Sequence, residues 1–420
     1  MERFVVPADA RSWVEYSPQN HFPIQNLPFG QAAPKGGPEC VVVAIGGYAL
    51  DLQALMEKGL ISEEEFPILG SFINLDGDSL GELRKAVFNL LVESNGELRD
   101  SKRLRERALI PLAKANMQVP IPPPAFIDFY SGINHASNVG RMFRPDQPPL
   151  LPNYRHIPVG YNGRASSVVA SGTGITRPKG ITQPPGAEAP GFGPSKGLDF
   201  ELEMGFFVSH GNDMGKRIIV SKVEDHILGL VMVNDWSARD VQRFEYVPLG
   251  PFLSKSFATS VSPWIVTLDA LEPFRIAGME QEPDPLPHLK QGGMKHFDVE
   301  LEVSIQSEKM TKPQTLCRTN MKNLYWSIAQ QLAHQTCNGT PVEFGDLYAS
   351  GTISGTEKGT FGSMLELTWK GDDPLTLEET GEERKFLQDG DTVTFTAYAQ
   401  GDGYRVGFGE VSGKILPARN

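Results

Sequence analysis

Apolar positions along this chain fall mainly in short runs or at a spacing of two, the pattern of strands. Val41-Val42-Val43-Ala44-Ile45, Gly46-Gly47 and Tyr48-Ala49-Leu50 together predict a hairpin closed by a glycine turn. Further strands are predicted for Leu198 to Val208, Leu228 to Asn234, His296 to Ile305, Ser363 to Trp369, Thr392 to Gln400 and Tyr404 to Val411. The last two are joined by Gly401-Asp402-Gly403, a hairpin turn. Helical spacing shows in two places. Leu80, Leu83, Val87, Leu90 and Leu91 predict an amphipathic helix from Ser79 to about Glu93, with Ser79-Leu80-Gly81-Glu82 resembling a capping box. Met321 to about Thr336 predicts a second, ending before Gly339, where glycine suits a left-handed cap. Gly172 to Gly197 is rich in Gly and Pro and reads as a long loop, expected near a subunit contact or a site.

The run Val119-Pro120-Ile121-Pro122-Pro123-Pro124 can neither continue a helix nor pair centrally in a sheet, because proline lacks the donor and fixes φ. A domain boundary is therefore expected there. Residues 1–119 would form a small barrel or sheet with helices, and residues 125–420 a larger, strand-dominated domain. At 420 residues the chain exceeds the usual domain of about 100–200 residues. Its 43 Gly and 33 Pro, in the absence of low-complexity repeats, fit the turns of a fold that is mostly β with some α.

The net charge of −12, with no basic stripe, argues against nucleic-acid or anionic-membrane partners. Cys40, Cys317 and Cys337 are too few and too scattered for a disulfide framework or a zinc knuckle. The amino-terminal stretch from Met1 to Pro7 lacks the apolar core of a signal peptide, and the longest apolar run, Ile227 to Val233, is far short of a membrane span. A cytoplasmic location is expected.

In Leu198-Asp199-Phe200-Glu201-Leu202-Glu203-Met204, acids alternate with apolar residues, so Asp199, Glu201 and Glu203 are expected on one strand face, about 6.6 Å between neighbours. Such a face is either solvated or, if buried, in need of a cation. The apolar continuation Gly205-Phe206-Phe207-Val208 favours burial. Asp235, at the end of another apolar run, either caps the next helix or joins such a site. Asp128 reads as a turn residue or a ligand, and His135 as a satisfied polar side chain or a functional one. Carboxylates without Cys or paired His nearby select a hard cation, Mg²⁺ or Ca²⁺, over zinc. Glu366 stands alone in an apolar stretch and must be exposed or paired. Lys255 is similarly isolated, with surface snorkelling as the alternative.

These stretches, in their order, resemble the fumarylacetoacetase family. The resemblance rests on Phe22 to Gly30, Asp128-Phe129-Tyr130-Ser131, Pro158 to Ser167, Leu202-Glu203-Met204, Asn234-Asp235-Trp236-Ser237-Ala238-Arg239-Asp240, Glu245 to Leu253, Ala349 to Gly355 and Gln400 to Tyr404. It implies an SH3-like N-terminal domain, a C-terminal mixed β-roll carrying the active site, and a homodimer. It also implies hydrolysis of a carbon–carbon bond in a diketo dicarboxylate, 4-fumarylacetoacetate, to fumarate and acetoacetate in tyrosine and phenylalanine breakdown. By resemblance, Asp128, Glu201, Glu203 and Asp235 hold a Mg²⁺ or Ca²⁺ ion, with Lys255 and Thr259 beside a second, structural ion. His135 is the general base and Glu366 its orienting partner, while Arg239, Gln242 and Lys255 stabilise developing negative charge. Tyr130, Arg144, Tyr161, Tyr246 and Thr352 contact the substrate. Alternatives on the same domain are an acylpyruvate hydrolase or an oxaloacetate decarboxylase. A further one is a divalent-metal-binding structural module without activity.

Overall fold

The computed structural model describes residues 3–62 and 76–419, so Met1 and Glu2 of the amino-terminal stretch lie outside the described residues. The molecule is mostly strands with some helices, divided between a distinct N-terminal domain and a larger C-terminal domain of curled sheets. The N-terminal domain is built on an antiparallel sheet in the order Phe29–Ala32, Cys40–Ile45, Tyr48–Asp51, Leu109–Pro111. Its hairpin is the one read from the sequence: Ile45 faces Tyr48 across Gly46 and Gly47. Helix Gly77–Leu91 packs Leu80, Leu83, Val87, Leu90 and Leu91 inward as the periodicity predicts. Its cap differs from the expected one. The Asp76 side chain accepts from Ser79 N–H at 2.7 Å, so Asp76, three residues earlier, occupies the position assigned to Ser79.

The C-terminal domain holds two large sheets. The first, of seven strands, runs Gly160–Asn162, Phe126–Phe129, Leu347–Ala349, Leu202–Val208, Ile227–Asp235, Thr259–Val261, Val168–Ala170. The second, of five strands, runs Gln314–Asn320, Glu300–Gln306, Thr392–Gln400, Arg405–Leu416, Ile175–Thr176. Strand alternation decides what each face of the seven-stranded sheet meets. Met204, Phe206, Leu230 and Met232 point into the core shared with Val303, Ile305, Phe395 and Phe408 of the five-stranded sheet. Phe126, Phe207, Val231 and Val233 point the other way, into one core with Val41, Val43, Ile45 and Leu83 of the N-terminal domain. Each fully buried side chain of this kind contributes about 1.5–3 kcal/mol, so the central strands are held from both sides.

Several expected elements are corrected. The predicted strand from Leu198 to Val208 is two strands, Leu198–Asp199 and Leu202–Val208, pairing with different partners. Likewise His296–Phe297 and Glu300–Gln306 are separate strands. Ser363 to Trp369 is no strand: Ser363 accepts from Glu366 N–H and caps a short helix, Met364–Leu367. The predicted helix from Met321 divides into a turn at Met321–Asn323 and a helix at Ile328–Thr336. The helix is opened by a capping box between Ser327 and Gln330. Gly339 beyond it does adopt the positive φ expected there, +87°. The stretch 172–197 is not structureless; Lys179–Thr182 and Gly191–Pro194 pair within it as a hairpin.

Candidate active site

The acidic centre grows from the register of the seven-stranded sheet. Asp128 pairs with Ala349, which pairs across to Gly205. Glu203, two residues before Gly205, therefore stands on the same face, and Glu201 follows it past the strand end. Asp235 comes from the neighbouring strand, opposite Thr259. Asp128, Glu201, Glu203 and Asp235 thus converge at one end of the face that elsewhere packs on the N-terminal domain. All four are buried, each with an oxygen within 4.8 Å of the others. Asp199 does not join them. The break at residues 200–201 turns it toward helix Met364–Leu367, where it accepts from Met364 N–H (2.6 Å) and Leu365 N–H (3.1 Å).

Four carboxylates face two cations. Lys255 Nζ donates to Glu201 and, at 2.9 Å, to Asp235. Arg239 lies 2.7 Å from Glu201 and 2.7 Å from Asp199. The excess is at least two negative charges, and the outcome is unequal. Burial raises Glu201 as well, but Lys255 and Arg239 outweigh it and hold its carboxyl below the ordinary range. Burial and the neighbouring carboxylates push Asp128 and Glu203 well up. Asp128 Oδ1 and Glu203 Oε1 are buried with no hydrogen-bond partner among the described residues. Orphaned oxygens, surplus negative charge and an all-carboxylate donor set fit a hard divalent cation. Thr259 donates to Asp235 Oδ1 at 2.7 Å, so Lys255 and Thr259 both act on a carboxylate of this cluster.

The second component stands on helices. Helix Ile133–Phe143 presents His135, whose Nδ1 lies 2.6 Å from Glu366 Oε2. Both side chains are buried. Glu366 also receives Asn138 Nδ2 at 2.9 Å, Ser354 Oγ at 2.9 Å and Ser363 Oγ at 2.8 Å. Burial alone would raise this carboxyl; the His135 contact and the hydrogen bonds from Asn138 and Ser363 reverse it and hold Glu366 below its usual value. With Nδ1–H committed to Glu366, Nε2 is the ring nitrogen left to accept a proton.

Arg239 and Gln242 lie on helix Arg239–Glu245, and Arg239 Nη1 donates to Gln242 Oε1 at 3.1 Å. The hairpin 179–194 packs beside this helix: Ser195 Oγ donates to Asp240 at 2.5 Å and Arg243 donates to the Gln183 carbonyl at 3.1 Å. Gly351 closes the site from another side. At φ +77° its N–H donates to Glu203 Oε2 at 3.0 Å, and a Cβ there would lie 2.2 Å from the Phe129 carbonyl oxygen.

Of the expected substrate contacts, Tyr130 packs its ring edge-on against His135, centroids 5.4 Å apart. Tyr161 donates to Asp235 Oδ2 at 2.8 Å. Arg144, at the end of the His135 helix, donates from Nη2 to the Pro149 carbonyl and keeps a buried Nε without a partner among the described residues. Thr352 Oγ1 is likewise buried and unpartnered among the described residues. Tyr246 is 41% exposed at the end of the Arg239 helix and has no hydrogen bond to the acidic cluster among the described residues.

The sequence reading missed Asn138, Ser354 and Ser363 as the groups that hold Glu366. Asn138 follows His135 by three residues, a spacing that puts both on one helix face once the helix is recognised. Asp199 was noticed as an acid, but its role as the partner of Arg239 was not. Glu245 stands in a stretch that carries the resemblance, yet the sequence assigns it no role: its carboxylate accepts from the N–H groups of Phe252 (2.9 Å), Leu253 (3.2 Å) and Ser254 (2.8 Å), fixing the loop that leads to Lys255.

Residues 126–415 match the family model described as Fumarylacetoacetate (FAA) hydrolase C-terminal, and residues 25–120 match Fumarylacetoacetase N-terminal. The chain is 48% identical over 415 residues to the fumarylacetoacetase of Rattus norvegicus, covering 97% of this chain and 99% of the relative. It is 49% identical to that of Bos taurus over the same shares. Among solved structures it is similar in fold to a fumarylacetoacetate hydrolase from Exiguobacterium antarcticum. The TM-score is 0.50 at 16% identity, over 94% of this chain and 100% of the other.

Proposed function

The chain belongs to the fumarylacetoacetase family, and from that premise we propose that it hydrolyses 4-fumarylacetoacetate to fumarate and acetoacetate, the last step of tyrosine and phenylalanine breakdown. The observation that carries the reading is the buried His135–Glu366 pair together with the four-carboxylate cluster, His135 lying near enough to act electrostatically on Glu201. The other readings are not favoured: an acylpyruvate hydrolase or oxaloacetate decarboxylase leaves the N-terminal match unexplained, and a structural metal module leaves His135 and Glu366 without use.

Asp128, Glu201, Glu203 and Asp235 would hold Mg²⁺ or Ca²⁺, which supplies a Lewis acid for a substrate carbonyl. His135, oriented by Glu366, takes a proton from water at Nε2, and the water oxygen bonds to the carbonyl carbon. The carbon–carbon bond then breaks, its electron pair leaving on acetoacetate as an enolate. Carbon leaves poorly, so the donors Lys255, Arg239 and Gln242 must stabilise that charge. Gln242 is suited to this, since its carbonyl is already taken by Arg239 and its amide N–H groups remain to donate. The proton held by His135 completes the enolate carbon. Arg144, with Tyr130 and Tyr246, is assigned to a substrate carboxylate, for which a guanidinium fork is matched. Tyr161 and Thr352 are assigned to the remaining substrate oxygens.

We further propose a cytoplasmic homodimer, with the domain boundary at residues 120–124. Among the described residues no helix is long and apolar enough to cross a membrane. Phe192, Phe244, Val247, Leu249 and Phe252 are exposed on the packed hairpin and helix–loop around the Arg239 helix, an apolar surface that a second copy would cover.

The test is a spectrophotometric assay of fumarylacetoacetate consumption by purified protein, with product analysis and with and without chelator. Release of fumarate and acetoacetate that stops in chelator and returns with Mg²⁺ or Ca²⁺ is expected. Full activity in excess chelator would remove the metal from the reading, and turnover of acylpyruvates or oxaloacetate in place of fumarylacetoacetate would overturn the substrate.

A further inference from the structure

Away from the carboxylates, His288, His334 and Cys337 each offer a ligand atom, and these atoms lie within 4.8 Å of one another. Two of the three come from the end of helix Ile328–Thr336. His334 is four residues after Gln330 and Cys337 three after His334, so the three positions share one helix face. The third comes from a segment tied to that face. Leu289, fully buried, gives its carbonyl to Gln330 Nε2 at 2.9 Å, and Gln291 Oε1 accepts from Ser327 Oγ at 2.6 Å. Leu289 N–H closes the turn on the Leu286 carbonyl at 2.8 Å. His288 is thereby fixed opposite His334 by contacts that do not involve either imidazole.

The donors are left open for a ligand. His334 Nδ1 is buried with no hydrogen-bond partner among the described residues, a costly state for a ring nitrogen. Cys337 is a free, exposed thiol, unlike the buried Cys40 and Cys317.

We propose that His288, His334 and Cys337 form a second metal site, one that takes a borderline d-block cation such as Zn²⁺ and leaves its fourth position to solvent. Two imidazoles and a thiolate select such an ion over Mg²⁺ or Ca²⁺, the reverse of the all-oxygen cluster. Binding converts the Cys337 thiol to thiolate with release of its proton and staples the segment 286–291 to the helix end.

The experiment is a Co²⁺ titration of the full-length protein saturated with Mg²⁺. One equivalent should develop a thiolate-to-cobalt charge-transfer band, which an all-carboxylate site cannot give, and Zn²⁺ should displace it. Cys337→Ser should abolish the band while leaving the hydrolytic rate unchanged. His288→Ala and His334→Ala should each weaken Co²⁺ binding by about a hundredfold or more, beyond the usual effect of losing an outer-shell partner. Should His334→Ala not fold, His288→Ala on its partly exposed segment decides the matter. Absence of the band at saturating Co²⁺, its survival in Cys337→Ser, or unchanged affinity in His288→Ala would overturn the proposal.

Discussion

The acidic cluster and the His135–Glu366 pair are both buried and both carry carboxylates, yet their electrostatics are opposite. The cluster is built on strands whose register brings like charges together, leaving oxygens of Asp128 and Glu203 without partners among the described residues. Burial and the neighbouring carboxylates push the protonation of those two acids up. The pair is built on two helices, and Glu366 alone collects His135, Asn138, Ser354 and Ser363. Its protonation is held down despite burial. One region is complete only with something added; the other is complete in the chain. A cation should therefore depend on the first and proton transfer on the second.

The sharpest break of that division is a crossed pair of variants. His135→Ala should lower kcat by about 10²–10⁴, the worth of a positioned base, with Mg²⁺ affinity retained in calorimetric titration. Glu203→Gln should instead weaken Mg²⁺ binding and recover activity at raised Mg²⁺ concentration. Loss of the metal in His135→Ala would merge the two regions and remove the base assignment.

A smaller effect is expected at the residue that joins them. Asp199 holds Arg239 on one side and the first N–H groups of the helix carrying Glu366 on the other. Asp199→Asn keeps the shape and removes the charge. A charged hydrogen bond is worth about 1.5–3 kcal/mol, so kcat should fall by about 10–100-fold with KM little changed. In a double-mutant cycle with Arg239→Lys the losses should be non-additive. Additive losses would show that Asp199 acts on the helix alone.

The same contrast explains what was legible in the sequence. Strand periodicity and the acids at its ends are local, so Glu201, Glu203 and Asp235 stand out in the sequence itself. The hairpins at residues 41–50 and 392–411 were legible for the same reason. The helix under Glu366 was not. Its first N–H groups are satisfied by Asp199, 165 and 166 residues away, and an apolar run of that length suits a strand equally well. The expectation that Asp199, Glu201 and Glu203 share one face failed for the matching reason: the strand breaks where Asp199 turns to that helix. The segment 321–336 carries a usable signal of its own. Ser327 and Gln330 have capping-box spacing, which marks a helix start inside the stretch whose periodicity alone predicts one continuous helix.

Acid titration sharpens the comparison further. Glu366 has a native pKa below its unfolded value of about 4.3, so the folded state releases this proton more readily. Its contribution to stability is present above that value and is lost as pH falls through the lowered native one. Glu366→Gln should therefore unfold more readily near neutrality and show a shallower loss of stability on acidification, followed by denaturant midpoints across the acid range. Glu203→Gln should leave the acid limb attributed to Glu366 in place. An unchanged acid limb in Glu366→Gln would show that the His135 contact does not stabilise its carboxylate.

The smallest expected effect tests whether the pair is held redundantly. Ser354 Oγ donates to Glu366 Oε2 at 2.9 Å and accepts from Gly362 N–H at 2.9 Å, while three other groups still hold the carboxylate. Removing the hydroxyl leaves a backbone donor without this acceptor and a carboxylate with one donor fewer. Ser354→Ala should cost about 1–2 kcal/mol in chemical denaturation. With His135, Asn138 and Ser363 in place the imidazole stays oriented, so kcat should fall by less than about tenfold, far short of His135→Ala. Mg²⁺ affinity should not move, because no oxygen of Ser354 reaches the four-carboxylate cluster in the described hydrogen bonds. A drop in kcat as deep as that of His135→Ala would mean that Glu366 depends on one hydroxyl for its position and that the network around it is not redundant. A change in Mg²⁺ affinity would mean that the two regions are coupled through the backbone between Gly351 and Ser354, where Gly351 N–H already touches Glu203.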